Sequence, residues 1–228
     1  MSEARHPGGR GRFVTFEGVE GCGKSTQIER LVRGLRSRGD EPLVTKEPGG
    51  TPLGIRLRSL LLRDGGTRID PEAELLLYAA DRAQHVREVV APALEAGRLV
   101  LCDRYLDATL AYQGYGRGLD LRIVLDVHRH PPLDLRPDRT VLLDLDPDVA
   151  LRRARRRNER LGLVTAEGRF ERETLEFHRR VRQGYLSLAA ESLARYRVID
   201  AAGTEDEVAE RVEKAVRDLL GQPEDRGP

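Results

Sequence analysis

The sequence predicts an α/β fold, a parallel sheet with helices on both faces, and three observations carry that expectation. Short apolar, β-branched runs recur along the chain, the segments between them space their apolar residues at i, i+3 and i+4, and a glycine-rich stretch, GVEGCGKST (18–26), falls where the first such run would turn into the first helix. Alternation of this kind points to parallel pairing, because each parallel partner has to be reached by a crossover that returns the chain to the same end of the sheet.

Taken in order, the runs are RFVTFE (12–17), PLVTKE (42–47), RLVLCD (98–103), RTVLLDLD (139–146) and YRVIDA (196–201), which predict five buried strands. Ile28, Leu31, Val32 and Leu35 mark one face of the first helix, and Leu75, Leu76, Ala79, Ala83 and Val86 one face of the third. The segment RRARRRNERLGLVTAEGR (152–169) crowds arginines ahead of a weakly periodic, glycine-bounded stretch and reads as a mobile insertion. No internal repeat and no linker-like shift in composition divides the chain, so a single domain is expected over 12–221, with a disordered leader at 1–11 and a flexible tail at 222–228.

Composition removes several classes of partner. With 228 residues and a formal net charge of +1, no bulk field draws the chain to nucleic acid or to a membrane surface. No stretch approaches the roughly 20 apolar residues that cross a bilayer, and the N-terminal MSEARHPGGRGR lacks the apolar core of a secretory signal, so a cytoplasmic location is expected. Cys22 and Cys102 make no disulfide framework. Among the basic residues only Lys24, Lys46 and Lys214 are lysine, which makes any single arginine weak evidence and each lysine stronger evidence.

Gly18, Gly23, Lys24 and Ser25 satisfy GxxxxGK[ST] between a strand and a helix. In such a loop the backbone of Gly18, Val19, Glu20, Gly21, Cys22 and Gly23 wraps a β-phosphate, the helix N-terminus beginning at Lys24, Ser25 and Thr26 adds partial positive charge, Lys24 bridges β- and γ-oxygens, and Ser25 can ligate Mg²⁺. A nucleoside triphosphate is therefore expected. Transfer to a small molecule, hydrolysis in a switch GTPase and ATP-driven binding all remain open at this point. A guanine-reading NKxD stretch is missing, Asn158 being the sole asparagine, which disfavours the GTPase.

On the acceptor side, LVLCDRY puts Asp103 and Arg104 just past a strand end, the edge where doubly wound sheets hold ligands. Asp103 could orient metal waters or an acceptor, and Arg104 could grip an anion; alone, the pair could equally be a helix cap and a surface ion pair. EPGGT (47–51) supplies a tight turn after the second strand, and LLYAADRAQH (76–85) sets Tyr78 and Arg82 four residues apart, so that a ring and a guanidinium share one helical face.

GVEGCGKST, EPGGT, YAADR and DRY followed by LAYQG, in this order and spacing, resemble the bacterial thymidylate kinases of the P-loop nucleoside monophosphate kinase family over about residues 12–201. The resemblance implies a P-loop NTPase fold with strand order 2-3-1-4-5 and a mobile lid at about 152–169, a homodimer, and transfer of the γ-phosphoryl group of Mg·ATP to dTMP. It implies that Tyr78 stacks on thymine, that Arg82 and Arg104 clamp base and phosphate, that Thr109 and Gln113 read the base edge, that Tyr112 crowds the sugar 2′ position, that Pro48 of EPGGT lines the acceptor site, and that Glu17 and Asp103 lie near metal and acceptor phosphate. Lys46 departs from the pattern, since relatives often carry arginine there. Another nucleoside monophosphate or deoxynucleoside kinase is the alternative within this class; a binding module without transfer is the alternative outside it.

One residue is out of character, since Glu20 sets a carboxylate inside a loop that binds anions. In this family some members carry a basic residue in the loop, while those with an acid or a small residue there supply an arginine from the lid. Glu20 is accordingly expected to dock a lid arginine and hold it beside the γ-phosphate when the lid closes. Arg157 matches the last arginine of the family run, with Arg153, Arg155 and Arg169 as alternatives.

Overall fold

The computed structural model describes residues 10–62, 68–161 and 168–220. Most of the expected leader, part of the expected lid (162–167) and the expected tail lie outside the described residues.

Five strands, β1 (Phe13–Glu17), β2 (Leu43–Lys46), β3 (Val100–Asp103), β4 (Arg139–Asp144) and β5 (Tyr196–Asp200), form one parallel sheet in the order β2-β3-β1-β4-β5. Central β1 pairs with β3 (Phe16↔Asp103) and with β4 (Phe16↔Val141), and all five of its residues are buried. Its alternation feeds two cores: Val14 and Phe16 pack with Ile28, Leu31, Val32 and Leu35 of α1 (Lys24–Arg36), whereas Phe13 packs with Leu75 of α3 (Pro71–His85). The expectation of five buried strands holds for the centre only. At the sheet edges the strands are partly exposed, in alternation along β2, and Val44 of β2 and Val198 of β5 are 46% and 48% exposed.

After β2, α2 (Pro52–Leu62) leads to α3, which continues through a π-helical stretch, Val86–Val90, into α4 (Ala91–Glu95). On α3 the expected apolar face is corrected at Leu76, which is 59% exposed, while Glu74, Asp81, Arg82 and His85 occupy the buried side. Beyond β3 come α5 (Leu106–Thr109), a second π-helical stretch, Leu110–Gly116, and α6 (Leu121–Val127). α7 (Pro147–Leu161) follows β4, so the arginine run read as an insertion is, up to Leu161, regular helix. Ala150, Leu151 and Ala154 bury one stripe of α7 and leave Arg152, Arg153, Arg155, Arg156 and Arg157 outside. A 3₁₀ turn, Phe170–Arg172, and α8 (Leu175–Glu191) return the chain to β5, and α9 (Glu205–Val216) closes on α1.

Because β1 has β3 on one side and β4 on the other, the order of the chain reverses across it. The crevice at the C-terminal ends of β1 and β3 lies at this switch point.

Candidate active site

The phosphate loop is built on backbone that only glycine adopts readily. Gly18, Gly21 and Gly23 have φ of 134°, 78° and 101°. A Cβ on Gly21 would also collide with the Ala150 carbonyl of α7, so the loop lies against α7 with no room for a side chain. α1 starts from Gly23 with no side-chain cap, which leaves its first N–H groups for solvent or an anion. Lys24 Nζ donates to the Gly18 and Val19 carbonyls at 3.1 Å each, while Val19 and Cys22 are buried beneath the loop.

A pocket of about 540 Å³ opens beside the loop. It brings together Glu20, Gly21, Lys24 and Ser25 of the loop, Pro48 of the EPGGT turn, Tyr78 and Arg82 of α3, Asp103, Arg104, Thr109, Tyr112 and Gln113 after β3, and Arg157 of α7. Gly18, Val19, Cys22, Gly23 and Thr26 do not line it. Neither does Glu17, which sits behind the wall, fully buried, accepting from Tyr105 N–H and Tyr185 O–H at 2.7 Å each. Burial first, and then nearby Asp107, push the Glu17 carboxyl up to about 8.

The two arginines of the acceptor wall are not surface charges. Arg82 is fully buried; its Nε donates to Glu47 at 2.8 Å, Nη1 to His128 Nε2 at 2.6 Å and Nη2 to Thr109 Oγ1 at 3.0 Å. His128 accepts at Nε2 because its Nδ1–H is given to the Val124 carbonyl at 2.7 Å, and burial followed by Arg82 holds its pKa down to about 4. Glu47 is steadied in turn by His85 Nδ1 at 2.8 Å. These supports were invisible as motifs; the available signal was polar side chains sitting at the buried phase of α3.

Arg104 has φ 69°, the one non-glycine residue in the left-handed region among those described. The conformation is held by Arg104 N–H on the Phe16 carbonyl at 3.0 Å and Cys102 Sγ on the Arg104 carbonyl at 3.0 Å. It aims the guanidinium at the loop, where Nη1 donates to the Gly18 carbonyl at 3.0 Å and Nη2 to Glu20 Oε1 at 2.8 Å.

The arginine that meets the loop acid here comes from the end of β3. Glu20 accepts from Arg104 and from the Tyr112 hydroxyl at 2.6 Å, whereas Arg157 Nη2 lies 3.6 Å from Glu171. Both line the same pocket, but Arg104, which leaves the strand beside β1, is the guanidinium that reaches Glu20. Burial would raise the Glu20 carboxyl; Arg104 and then Lys24 outweigh it and hold the pKa below its ordinary value.

Ser25 Oγ donates to Asp103 Oδ2 at 2.9 Å on the exposed side of the loop. A hydroxyl and a carboxylate are hard oxygen donors that suit Mg²⁺, which takes one or two protein ligands and completes its shell with water and phosphate. No cluster of three or more His, Cys, Asp or Glu that could hold a metal ion occurs among the described residues.

Comparisons with known proteins agree with one another. The family model described as thymidylate kinase matches residues 16–212. A thymidylate kinase of Solidesulfovibrio magneticus is 55% identical over 91% of this chain and 100% of its own, and one of Syntrophotalea carbinolica is 53% identical over 92% of this chain and 97% of its own. Among solved structures, the crystal structure of thymidylate kinase from Ehrlichia chaffeensis superposes with a TM-score of 0.73 at 30% identity, covering 92% of this chain and 100% of that one.

Proposed function

The chain belongs to the thymidylate kinase family and is a phosphotransferase that converts dTMP to dTDP, and on that premise we propose how its residues divide the reaction. The carrying observation is that Lys24 and Ser25 of a triphosphate-binding loop share one pocket with Tyr78, Arg82 and Arg104, so that a donor γ-phosphate and an acceptor nucleotide can meet there. An oxygen of the dTMP 5′-phosphate attacks the γ-phosphorus of ATP, the bond to the β–γ bridging oxygen breaks, and ADP leaves.

Lys24 bridges the β- and γ-oxygens. Ser25 and Asp103 would hold Mg²⁺, which when bound neutralises phosphate charge. Tyr78 stacks on the base, Arg82 donates to its edge with the N–H groups left over from three fixed bonds, and Thr109 and Gln113 read that edge. Tyr112 occupies the space of a 2′-hydroxyl, with its own O–H fixed by Glu20. Arg104 grips the acceptor phosphate, and Arg157 brings positive charge to the moving group. Glu17 acts from behind by fixing Tyr105 and Tyr185. Glu20, tied to Arg104 and Tyr112, belongs to the acceptor clamp.

A homodimer is part of this proposal, supported by apolar side chains left outward on α2 (Leu53, Ile55, Leu60) and α3 (Leu76). Light scattering at the mass of one chain would remove it. The cytoplasm, where ATP is abundant, is the proposed location; no helix among the described residues is long and apolar enough to cross a membrane. The deciding assay incubates the protein with Mg·ATP and a panel of monophosphates and measures ADP. Turnover is expected with dTMP above all others, and no ADP with any nucleotide would overturn the reading.

A further inference from the structure

Glu74 is fully buried beside the pocket, yet it has no part in the division of labour above. It lies one turn before Tyr78 and two before Arg82 on α3, at positions i, i+4 and i+8 of one helical face. A carboxylate in such a place carries a large desolvation cost that an apolar side chain would avoid, so its partners matter. Oε1 accepts from Gln113 Nε2 at 2.7 Å and from Arg117 Nε at 3.2 Å, and Oε2 lies 2.6 Å from Arg169 Nη2.

With two guanidiniums on it, the Glu74 carboxylate acts only as an acceptor. The Gln113 group facing it must then be the NH₂, whichever way an amide is drawn. Gln113 is itself buried and lines the pocket, and no described residue hydrogen-bonds its Oε1. We infer that Glu74, which touches no substrate, is a positioning residue for base choice: by capturing the Gln113 N–H it turns Gln113 Oε1, an acceptor, toward the base.

The inference rests on the reading that the acceptor nucleotide's base lies against Gln113 and Arg82. Arg82 has only donors to offer, and Gln113, held this way, offers an acceptor. A pyrimidine with a keto oxygen beside a ring N–H satisfies both, as in thymine. Cytosine presents an amino donor to the arginine and an unprotonated ring nitrogen to the glutamine oxygen, a mismatch at both points. Releasing Gln113 lets its amide turn over and meet the cytosine ring nitrogen with an N–H. Sites that leave buried polar groups unpaired against the wrong ligand discriminate far more strongly than sites that rely on shape.

The test is Glu74→Gln, which keeps volume but lets the side chain donate as well as accept. The dTMP-to-dCMP ratio of kcat/KM, or of Kd where dCMP turnover is too slow, is expected to narrow by on the order of tenfold or more. Thermal melts run alongside separate this from loss of fold, which lowers both substrates together and leaves the ratio alone. The double variant Glu74→Gln with Gln113→Glu rebuilds the pair with its polarity reversed and again presents an acceptor to the base, so the ratio is expected to widen. A folded Glu74→Gln protein with an unchanged ratio would overturn the inference, as would a folded double variant that does not recover it. If neither variant folds, the unaltered protein decides by titration: tighter binding of dTMP supports the acceptor orientation, and dCMP binding as tight as dTMP overturns it. Failure of the unaltered protein to phosphorylate dTMP would instead sink the functional reading itself.

Discussion

The pocket wall at α3 and the exposed face of α7 treat arginine in opposite ways. On the wall, Arg82 is 1% exposed and holds three side-chain partners from three different segments; on α7, Arg157 is 52% exposed and reaches Glu171 at 3.6 Å. A guanidinium fixed before any nucleotide arrives contributes recognition at little cost in reorganisation, because its entropy was lost in folding. One on an exposed helix face contributes little to the fold. On the roles proposed above, the difference divides selection of the acceptor from stabilisation of the moving phosphoryl group, and each half would leave its own signature in kinetics and stability.

Arg157→Ala tests the lid half most severely. A loss in kcat of about 10³-fold or more is expected, with little change in the KM of either substrate or in Tm. A rise in KM with kcat intact would place Arg157 among ground-state contacts and erase the contrast. Arg82→Ala tests the wall half, where the expected result is a rise in the dTMP KM together with a stability loss of about 3 kcal/mol or more, because buried Glu47 loses its guanidinium. Urea unfolding that shows no loss would mean the wall is not braced as described.

A double-mutant cycle sharpens the boundary between the two regions at Glu20. Combining Glu20→Gln with Arg104→Ala is expected to show a coupling of about 1–3 kcal/mol in kcat/KM, whereas Glu20→Gln with Arg157→Ala should be additive within about 0.5 kcal/mol. The reverse pattern would return the loop acid to the lid. The smallest effect concerns Glu17 behind the wall. Its folded pKa, near 8, is raised above its ordinary value of 4.5, so the proton it holds stabilises the fold fully below about pH 4.5, and that contribution is lost as pH rises through about 8. Glu17→Gln, neutral at every pH, should flatten the pH dependence of stability between pH 5 and pH 8 by on the order of 1 kcal/mol or more. An unchanged profile would remove Glu17 as its source.

Much of the reaction side was legible because it is written in contiguous stretches. The glycines and Lys24 sit within one loop, Asp103 and Arg104 end a strand, and Tyr78 and Arg82 share a helical turn. The supporting shell was not legible, because Glu47, His85, His128 and Glu74 act on partners 35 to 46 residues away that the sheet order and helix packing bring together. Edge strands were also misread, since LVTK and VLCD have similar apolar content and only pairing on both sides distinguishes them. In the arginine run, charge hid a three-residue buried stripe, so the helix that carries the arginines was not read from the sequence. Glu20 drew attention for the right reason, an acid among phosphate ligands, but its nearest arginine came from a strand end that local sequence could not connect to it.

In the proposed division of roles, Arg104 joins two binding events in one side chain. Its guanidinium rests on the Gly18 carbonyl and on Glu20, both part of the loop that wraps the donor, while the same group faces the acceptor pocket. If Arg104 holds the acceptor phosphate as proposed, donor and acceptor would share the settings of a single rotamer, and neither affinity would be an independent constant. Thermodynamic linkage makes the effect mutual: whatever factor a bound ATP analogue imposes on the Kd of dTMP, dTMP must impose on the Kd of that analogue.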